Sequence, residues 1–460
     1  MVFSSLLFLF GFLPIVLLLY YCSPRRIRNV ILLITSLFFY AWGEPVYIVI
    51  MLFSTLTDYR FGLLLSRPSM PDRQRKWVVA FSIFVNISLL GFFKYADFLI
   101  GNINAVLGTD IPLTNLPLPI GISFYTFQSM SYIIDIYRGT AKAQRSWLDF
   151  ATFVALFPQL VAGPIVHYST VSEQIRHRTV SVELFAQGVR RFTIGLAKKV
   201  LLANNIGFLW TTISASDIQT LPAATAWLGI IAFAFQIYFD FSGYSDMAIG
   251  LGLMFGFRFN ENFNSPYMAQ SITDFWRRWH ISLSSWFRDY VYIPLGGNRR
   301  GSWLQFRNIL VVWLLTGIWH GASWNFLLWG LYFGILLIIE KWIGLRFLQR
   351  LPKWMRHVYA GILVLFGWVL FAFEQLTDVT AYLQAMVGGN GGPLWNQDSV
   401  YLLYTNAVLL VILTIACKPA KLRLQQARPI LQLCGYGALW FMSIAYLVDA
   451  TFNPFLYFRF

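Results

Sequence analysis

Long apolar runs alternate with short polar segments along the whole chain. A membrane-spanning helix needs about 20 mostly apolar residues. Thirteen runs approach that length, at 3–21, 29–43, 46–65, 77–93, 118–136, 148–165, 192–213, 226–250, 308–325, 326–343, 357–374, 400–416 and 430–448. Several runs are short or contain Gly or Pro, so we do not expect every one to cross. The pattern predicts an all-α polytopic membrane protein.

The polar segments form two sets that differ in charge. Basic segments lie at 25–28, 67–76, 138–145, 176–191, 258–307, 341–356 and 418–428, whereas segments 95–117, 214–225 and 375–399 have almost no Lys or Arg. Lys and Arg are retained on the cytoplasmic side of a membrane. We therefore expect a membrane protein whose N-terminus lies outside the cytoplasm. Its first apolar run carries no charge before Arg25 and has no evident cleavage site, which predicts an uncleaved span.

One run interrupts this alternation. Run 148–165 contains Pro158, Gly163 and Pro164 and has basic segments on both sides. A re-entrant or interfacial segment resolves the conflict, because broken helices are tolerated where protein or water covers the backbone. This leaves about 11–12 spans. Segment 256–307 mixes charged residues with many aromatics, which is typical of amphipathic helices at the cytoplasmic interface.

Composition narrows the class of protein further. The 460 residues are 57% hydrophobic and only 12% charged, whereas ordinary soluble domains carry about 25% charge. A soluble enzyme, a disordered chain and a collagen-like fibre are therefore excluded. The net charge of +15 reports membrane topology, and we expect no nucleic-acid partner. Three cysteines without CxxC or Cys/His spacing predict neither a metal site nor a disulfide scaffold.

Two histidines in apolar surroundings are the main candidates for chemistry. On one helix, Trp313, Thr316, Gly317, His320 and Trp324 share a face. An ionisable residue inside a span indicates function by default, and a neutral imidazole is a good general base. A structural histidine bonded to a carbonyl is the alternative. Gly317 and Gly321 form a small-xxx-small pair that permits close helix packing.

His280 follows two arginines and lies among aromatics. On a helix, it would share a face with Trp276, Trp279, Leu283 and Phe287. The pattern fits an interface anchor as well as a site. The neighbouring Arg277 and Arg278 suit phosphate or lipid headgroups.

Two carboxylates lie in the run at 226–250. Asp240 and Asp246 are about 240° apart on a helix, so they do not form a carboxylate pair. Asp240 and Tyr244 are four residues apart and are able to interact. A structural role for both carboxylates is slightly favoured.

The chain resembles the membrane-bound O-acyltransferase family along essentially its whole length. Within that family it is most similar to the bacterial branch that O-acetylates secreted polysaccharides such as alginate. The matching segments are MVFSS at 1–5, FYAW at 39–42, PIGISFY at 119–125, AGP at 162–164, YFDFSGYSDMA at 238–248, FWRRWHISLS at 275–284, GIWHG at 317–321 and FLYFRF at 455–460.

The resemblance implies a ring of transmembrane helices around a central funnel, in one domain over 1–460. Its parts would be N-terminal spans at 1–117, a catalytic core at 118–343 and C-terminal spans at 344–460. His320 matches the near-invariant catalytic histidine of the family, and His280 matches its second polar position. The remaining candidates would line the tunnel or bind the donor: Trp276, Arg277, Arg278, Trp279, Trp319, Asp240 and Tyr244. The resemblance also implies a location in the bacterial inner membrane with a periplasmic N-terminus.

The resemblance also implies a substrate and partners. A cytoplasmic thioester such as acetyl-CoA would be the donor, with no bound cofactor, and periplasmic SGNH-type acetyltransferases would complete polysaccharide acetylation. Transfer of D-alanyl or another acyl group to a cell-envelope polymer is one alternative. A polysaccharide or lipid transporter is another, although the chain shows no internal repeat of the kind common in transporters. A scaffold that recruits periplasmic enzymes is the third.

Overall fold

The computed structural model describes residues 1–160, 163–299, 301–418 and 428–449, which form helices and contain no β-strand. The helices are α1 (Leu13–Cys22), α2 (Arg28–Ala41), α3 (Ile48–Leu65), α4 (Asp72–Leu107), α5 (Ile122–Arg138), α6 (Trp147–Ala155), α7 (Phe157–Leu160), α8 (Tyr168–Arg176), α9 (Val182–Ala197), α10 (Asn204–Ser214), α11 (Ala223–Met254), α12 (Ile272–Arg278), α13 (Ile281–Phe287), α14 (Ser302–His320), α15 (Trp324–Ile339), α16 (Leu345–Leu348), α17 (Lys353–Ala372), α18 (Leu376–Met386), α19 (Gln397–Ala416) and α20 (Pro429–Asp449). π-Helical turns occupy Leu7–Phe12, Lys198–Ala203, Arg288–Tyr292 and Glu340–Gly344. The predicted all-α class is confirmed. Part of the AGP match, the FLYFRF match and most of the basic segment 418–428 lie outside the described residues.

Among the described residues, seven helices are long and apolar enough to cross a membrane. They are α3, α4, α11, α15 with its continuation to Trp342, α17, α19 and α20. Helix α19 carries a stripe of large side chains that are each more than half exposed: Val400, Tyr404, Val408, Val411 and Ile415. Their spacing of three or four residues places them on one side of the helix, and lipid accommodates such a surface. The chain is a multi-pass membrane protein.

Helix α4 is much longer than the apolar run that predicts it. Its 36 residues extend about 54 Å, beyond the roughly 30 Å of a bilayer core. The helix continues past residue 93 because the next fourteen residues contain no Pro and only one Gly. It ends where Gly108 adopts a left-handed conformation with φ of 63°, a common helix stop. Much of the predicted loop at 95–117 is therefore helical.

The described residues of run 148–165 form no helix of spanning length, as predicted. It is divided between α6 and α7 because Leu156 leaves the helical conformation, with ψ of 110°. The nine residues of α6 rise only about 14 Å, half of a bilayer core. Both short helices are largely buried, so protein covers their ends.

The chain divides into two compact units. Unit 1 comprises Met1–Thr193 and Tyr244–Asn260, and unit 2 comprises Ile194–Gly243 and Glu261–Phe460. An aromatic cluster forms part of the core of unit 1. In it, the Phe3 ring lies 5.0 Å from Phe8 and 4.6 Å from Tyr244. Such aromatic pairs contribute about 0.5–1.5 kcal/mol each beyond the area they bury.

In unit 2, glycines bring α14 and α15 into close contact. The position that a Cβ atom of Gly317 would occupy is 3.3 Å from Cα of Gly330 and even closer to the carbonyl oxygen of Phe326. A Cβ on Gly321 would collide with the Phe326 ring. These contacts confirm the predicted close packing around the small residues. They also fix the end of α14, which carries His320.

Candidate active site

Both candidate histidines line one cavity in unit 2. The cavity measures about 280 Å³ and lies among α12, α13, α14 and the turn that follows α15. Five of the nine candidate site residues contribute to its wall: His280, His320, Trp276, Arg277 and Trp279. The fold therefore brings together candidates that are up to 44 positions apart in the sequence.

His320 is the last residue of α14 and is buried. The helix ends there because Gly321 is extended, with φ of −168° and ψ of 161°. The imidazole packs against aromatic rings, with centroids 4.9 Å from Trp329 and 5.1 Å from Phe371. Desolvation by these rings strengthens the electrostatic interactions that a reacting group would make with the imidazole.

The predicted helical face around His320 is correct in part. Trp313, Thr316 and His320 line the cavity together, whereas Gly317 faces α15. The prediction for Trp324 is wrong. This residue begins α15 and is half exposed, because the chain leaves the helix at Gly321.

His280 interrupts the helix that the sequence pattern predicts. Helix α12 ends before His280 and α13 begins after it, while His280 itself is left-handed with φ of 42° and ψ of 55°. This conformation costs a residue with a side chain about 1–2 kcal/mol. Two backbone hydrogen bonds from a neighbouring segment hold it in place. Ile281 N donates to Asn262 O, and Asn264 N donates to Arg278 O, each at 2.9 Å.

The continuous helical face predicted from Trp276 to Phe287 is therefore wrong. All five members of that face nevertheless line the cavity: Trp276, Trp279, His280, Leu283 and Phe287. The reversal at His280 makes α12 and α13 two separate walls of the cavity, which one straight helix would not do.

The side chain of Asn262 fixes the tautomer of His280. Its Oδ1 accepts hydrogen bonds from Ser282 N at 3.3 Å and from Ser282 Oγ at 2.9 Å. Because a backbone N–H donates to this atom, it is the amide oxygen. Nδ1 of His280 lies 3.1 Å from the same oxygen, so Nδ1 carries the proton and Nε2 carries the lone pair.

Burial keeps the His280 imidazole neutral. The residue lies between two short helices, outside the membrane-spanning segments. Desolvation lowers its pKa from 6.5 to about 3. At physiological pH the ring therefore stays neutral and is able to accept a hydrogen bond through Nε2.

The three candidate tryptophans have different surroundings. Nε1 of Trp276 is buried in the cavity wall and has no acceptor among the described residues. Trp279 also lines the cavity, and its ring stacks 5.6 Å from Phe275. Trp319 is not part of the cavity wall, but its ring lies 5.9 Å from His280 and 4.9 Å from His320. Trp276 is thus the tryptophan with a donor available to a ligand.

Three exposed cationic side chains border the cavity. They are Arg277, Arg288 and Lys341. Arg278 is not part of the cavity wall; its Nε forms an ion pair with Oδ1 of Asp274 at 2.8 Å. The two adjacent arginines therefore have separate roles.

A buried carboxylate anchors the start of α12. Oε1 of Glu340 accepts from Ile272 N at 2.6 Å, and Oε2 accepts from Thr273 N and Thr273 Oγ1 at 2.7 Å. Acceptors at a helix N-terminus satisfy N–H groups that have no partner within the helix. Glu340 thereby fixes the helix that carries Trp276 and Arg277.

The remaining two candidates lie outside this cavity. Oδ1 of Asp240 forms an ion pair with Nζ of Lys199 at 2.6 Å, and both side chains are only 3% exposed. This pair explains how Lys199 occupies an apolar run. Tyr244 belongs to unit 1, where it stacks on Phe3.

Several cavity residues have no separate signal in the sequence. Arg288, Lys341 and Ser284 reach the wall from three different elements. Asn262 acts through a hydrogen bond to a residue 18 positions away. The described part of the chain contains no group of three or more His, Cys, Asp or Glu side chains placed to hold a metal ion.

Comparison with known proteins gives a consistent result. The model of MBOAT, the membrane-bound O-acyltransferase family, matches residues 33–382. The probable alginate O-acetylase AlgI of Pseudomonas aeruginosa is 46% identical over 391 residues, 84% of this chain and 75% of that protein. The peptidoglycan O-acetyltransferase of Helicobacter pylori is 35% identical over 443 residues, covering 89% and 84%. The teichoic acid D-alanyltransferase of Bacillus subtilis is 31% identical over 286 residues, covering 57% and 69%.

Proposed function

The chain belongs to the membrane-bound O-acyltransferase family and is an O-acyltransferase, and from this premise we propose that it acetylates an exported polysaccharide. Acetyl groups would move from a cytoplasmic thioester across the bacterial inner membrane to alginate or a similar polymer. Two similar proteins are named for O-acetylation, one of alginate and one of peptidoglycan. The alternation of basic and neutral segments supports a periplasmic N-terminus.

In the proposed reaction, His320 acts as general base on an acceptor hydroxyl. Its imidazole takes the hydroxyl proton while the oxygen attacks the thioester carbonyl and forms a C–O bond. The C–S bond then breaks, and the proton passes from the imidazolium to the departing thiolate. A positioned base of this kind contributes about 10²–10⁴-fold. The observation that carries this proposal is that both histidines line one cavity.

The tautomer of His280 assigns it a different task. With its proton on Nδ1, the ring presents the Nε2 lone pair and is therefore unsuited to donate to an oxyanion. We assign it to accept a hydrogen bond from the donor or the acceptor and so to orient that substrate. The indole N–H of Trp276 is the better oxyanion donor, because it is buried in the cavity wall and has no acceptor among the described residues.

The cationic border of the cavity suits the phosphates of acetyl-CoA. Arg277 and Lys341 supply this charge, whereas Arg288 forms an ion pair with Asp289 and Arg278 forms one with Asp274. The thioester is a substrate, so the reaction requires no resident cofactor. Periplasmic SGNH-type acetyltransferases would receive the acetyl group and finish the modification, which makes contact with the polysaccharide indirect.

Substitution of His320 tests the proposal directly. We expect His320→Ala to reduce transfer from labelled acetyl-CoA, and acetate on the polymer, by about 10²–10⁴-fold at equal protein level. His177→Ala is the matched control, because His177 is exposed and is not part of the cavity wall. Wild-type acetylation by the His320→Ala protein would refute the assignment and favour the scaffold alternative.

Transfer of D-alanyl groups is a second candidate function. The Bacillus subtilis relative, named as a teichoic acid D-alanyltransferase, supports it over part of the chain. Supplying the cell with labelled acetate and labelled D-alanine in parallel separates the two, because only the true donor transfers its label in a His320-dependent way.

A further inference from the structure

Unit 1 contains a second cavity, which is strongly cationic. It measures about 550 Å³ and lies where the apolar helix α1 ends. Asp149 is the one carboxylate in its wall. The wall also contains five arginines: Arg25, Arg26, Arg28, Arg176 and Arg178. The wall therefore has a net charge of +4, which favours an anionic ligand.

Two of these guanidinium groups are held in fixed positions. Nε of Arg178 donates to Tyr20 Oη at 2.8 Å, and its Nη1 donates to Asn29 Oδ1 at 2.7 Å. The Arg28 guanidinium lies 4.9 Å above the Tyr20 ring. Oδ1 of Asp149 accepts from Asn29 Nδ2 at 2.8 Å. Preorganised guanidinium groups of this kind suit phosphate oxygens.

An apolar pocket adjoins the cationic one. It measures about 360 Å³ and shares Tyr21 and Val180 with the cationic cavity. Its remaining wall comes from Ser181, Val182 and Phe185, and Val182 is 87% exposed. A free phosphate compound would use only the cationic cavity, whereas a lipid with a phosphate headgroup and an acyl chain fills both.

We propose that unit 1 binds an anionic phospholipid, with its phosphate among Arg25, Arg26, Arg28 and Arg178 and the upper part of one acyl chain against Val182 and Phe185. The ligand chemistry is a phosphate monoanion attached to an apolar chain. Basic pockets at the ends of membrane helices lie at the depth of lipid headgroups. This site is separate from the catalytic proposal, because none of its residues borders the cavity with the two histidines.

Lipid binding by the purified full-length protein tests the proposal. Native mass spectrometry would compare dioleoyl phosphatidylglycerol with dioleoyl phosphatidylcholine, and we expect clear preference for the former. Removing two charges in the double variant Arg25→Gln/Arg26→Gln should weaken binding of phosphatidylglycerol roughly 30-fold. Both arginines are exposed, so the variant should retain its fold, which a thermal melt would verify.

The control removes the same charge from another surface of unit 1. Arg67 and Arg73 are also exposed and lie outside the cationic cavity, so Arg67→Gln/Arg73→Gln should bind phosphatidylglycerol as the wild type does. Equal weakening in the control, or equal binding of the two lipids, would overturn the proposal.

Two further arms distinguish a lipid from a soluble phosphate. Dihexanoyl phosphatidylglycerol should bind at least tenfold more weakly than the dioleoyl form, because it leaves the apolar pocket less filled. Coenzyme A should leave lipid binding unchanged. If coenzyme A displaces the lipid and loses affinity in Arg25→Gln/Arg26→Gln, the cavity is a site for the donor's phosphates and the lipid assignment is wrong.

Discussion

Asn262 offers a sensitive test of how the cavity positions its histidine. The side chain is fully buried and accepts three hydrogen bonds, from Nδ1 of His280 and from N and Oγ of Ser282. Each such bond contributes about 1 kcal/mol. Asn262→Ala should therefore destabilise the protein by about 3 kcal/mol and release the imidazole from its tautomer. We expect the rate of acetyl transfer to fall further than the loss of folded protein explains.

Asn262→Asp separates positioning from stability. The carboxylate preserves the acceptor for His280 and Ser282, so the fold should be retained. Its negative charge favours the imidazolium and raises the pKa of His280. If neutral His280 is required, activity is lost as pH falls through that raised pKa. The acidic limb of the pH–rate profile should then shift to higher pH in Asn262→Asp. In the wild type, a pKa of about 3 keeps His280 neutral above pH 5.

The assay is the initial rate of label transfer from acetyl-CoA in isolated membranes between pH 5 and pH 8, corrected for folded protein by size-exclusion chromatography. Ser285→Ala is a matched control, since Ser285 is on the same short helix but is not part of the cavity wall. An Asn262→Asp profile identical to that of the wild type, together with full activity of folded Asn262→Ala, would refute the positioning role.

Three further predictions concern stability, measured as unfolding of purified protein in detergent. Asp240→Asn leaves Lys199 buried without its partner and should cost about 3–5 kcal/mol, whereas Lys199→Met/Asp240→Leu should recover most of the loss; equal stability of the single variant and the wild type would contradict this. Gly317→Val should destabilise the protein strongly, because the added carbons collide with α15. Gly361→Val should have little effect, because a side chain there would point into open space. Similar losses of stability in the two variants would contradict the close packing of α14 on α15. As the pH falls from 6.5 to 5, His280 takes up a proton in the unfolded state but stays neutral in the folded state, so the free energy of unfolding should decrease by about 2 kcal/mol. His280→Gln should reduce this dependence of stability on pH. An unchanged dependence in that variant would count against the lowered pKa.

Helix positions follow closely from the apolar pattern, because a spanning helix must satisfy its backbone hydrogen bonds internally. Each predicted run coincides with helical structure, although α4 extends beyond its run. A drop in hydropathy marks where lipid contact ends, but a helix ends only where the backbone leaves the helical conformation. Gly108 provides that stop.

The two histidines were also predictable, since ionisable side chains are costly in apolar surroundings. The turn at His280 was not, because no Gly or Pro directly precedes it and its left-handed backbone depends on one hydrogen bond accepted by Asn262 O and one donated by Asn264 N. Pairing of Lys199 with Asp240 joins residues 41 positions apart. Contacts of this range are decided by tertiary packing, which local patterns do not encode.

The buried carboxylate of Glu340 has a genetic consequence. It holds the first turn of α12 and is the chain neighbour of Lys341. The position of the aromatic wall and that of the cationic border of the cavity therefore both depend on this residue. Variants of Glu340 should therefore appear in a loss-of-function screen among those of the reacting groups, although this residue is not part of the cavity wall. A screen that scores both acetylation and protein abundance would identify Glu340 as a structural anchor of the site, because its variants would reduce acetylation and abundance together.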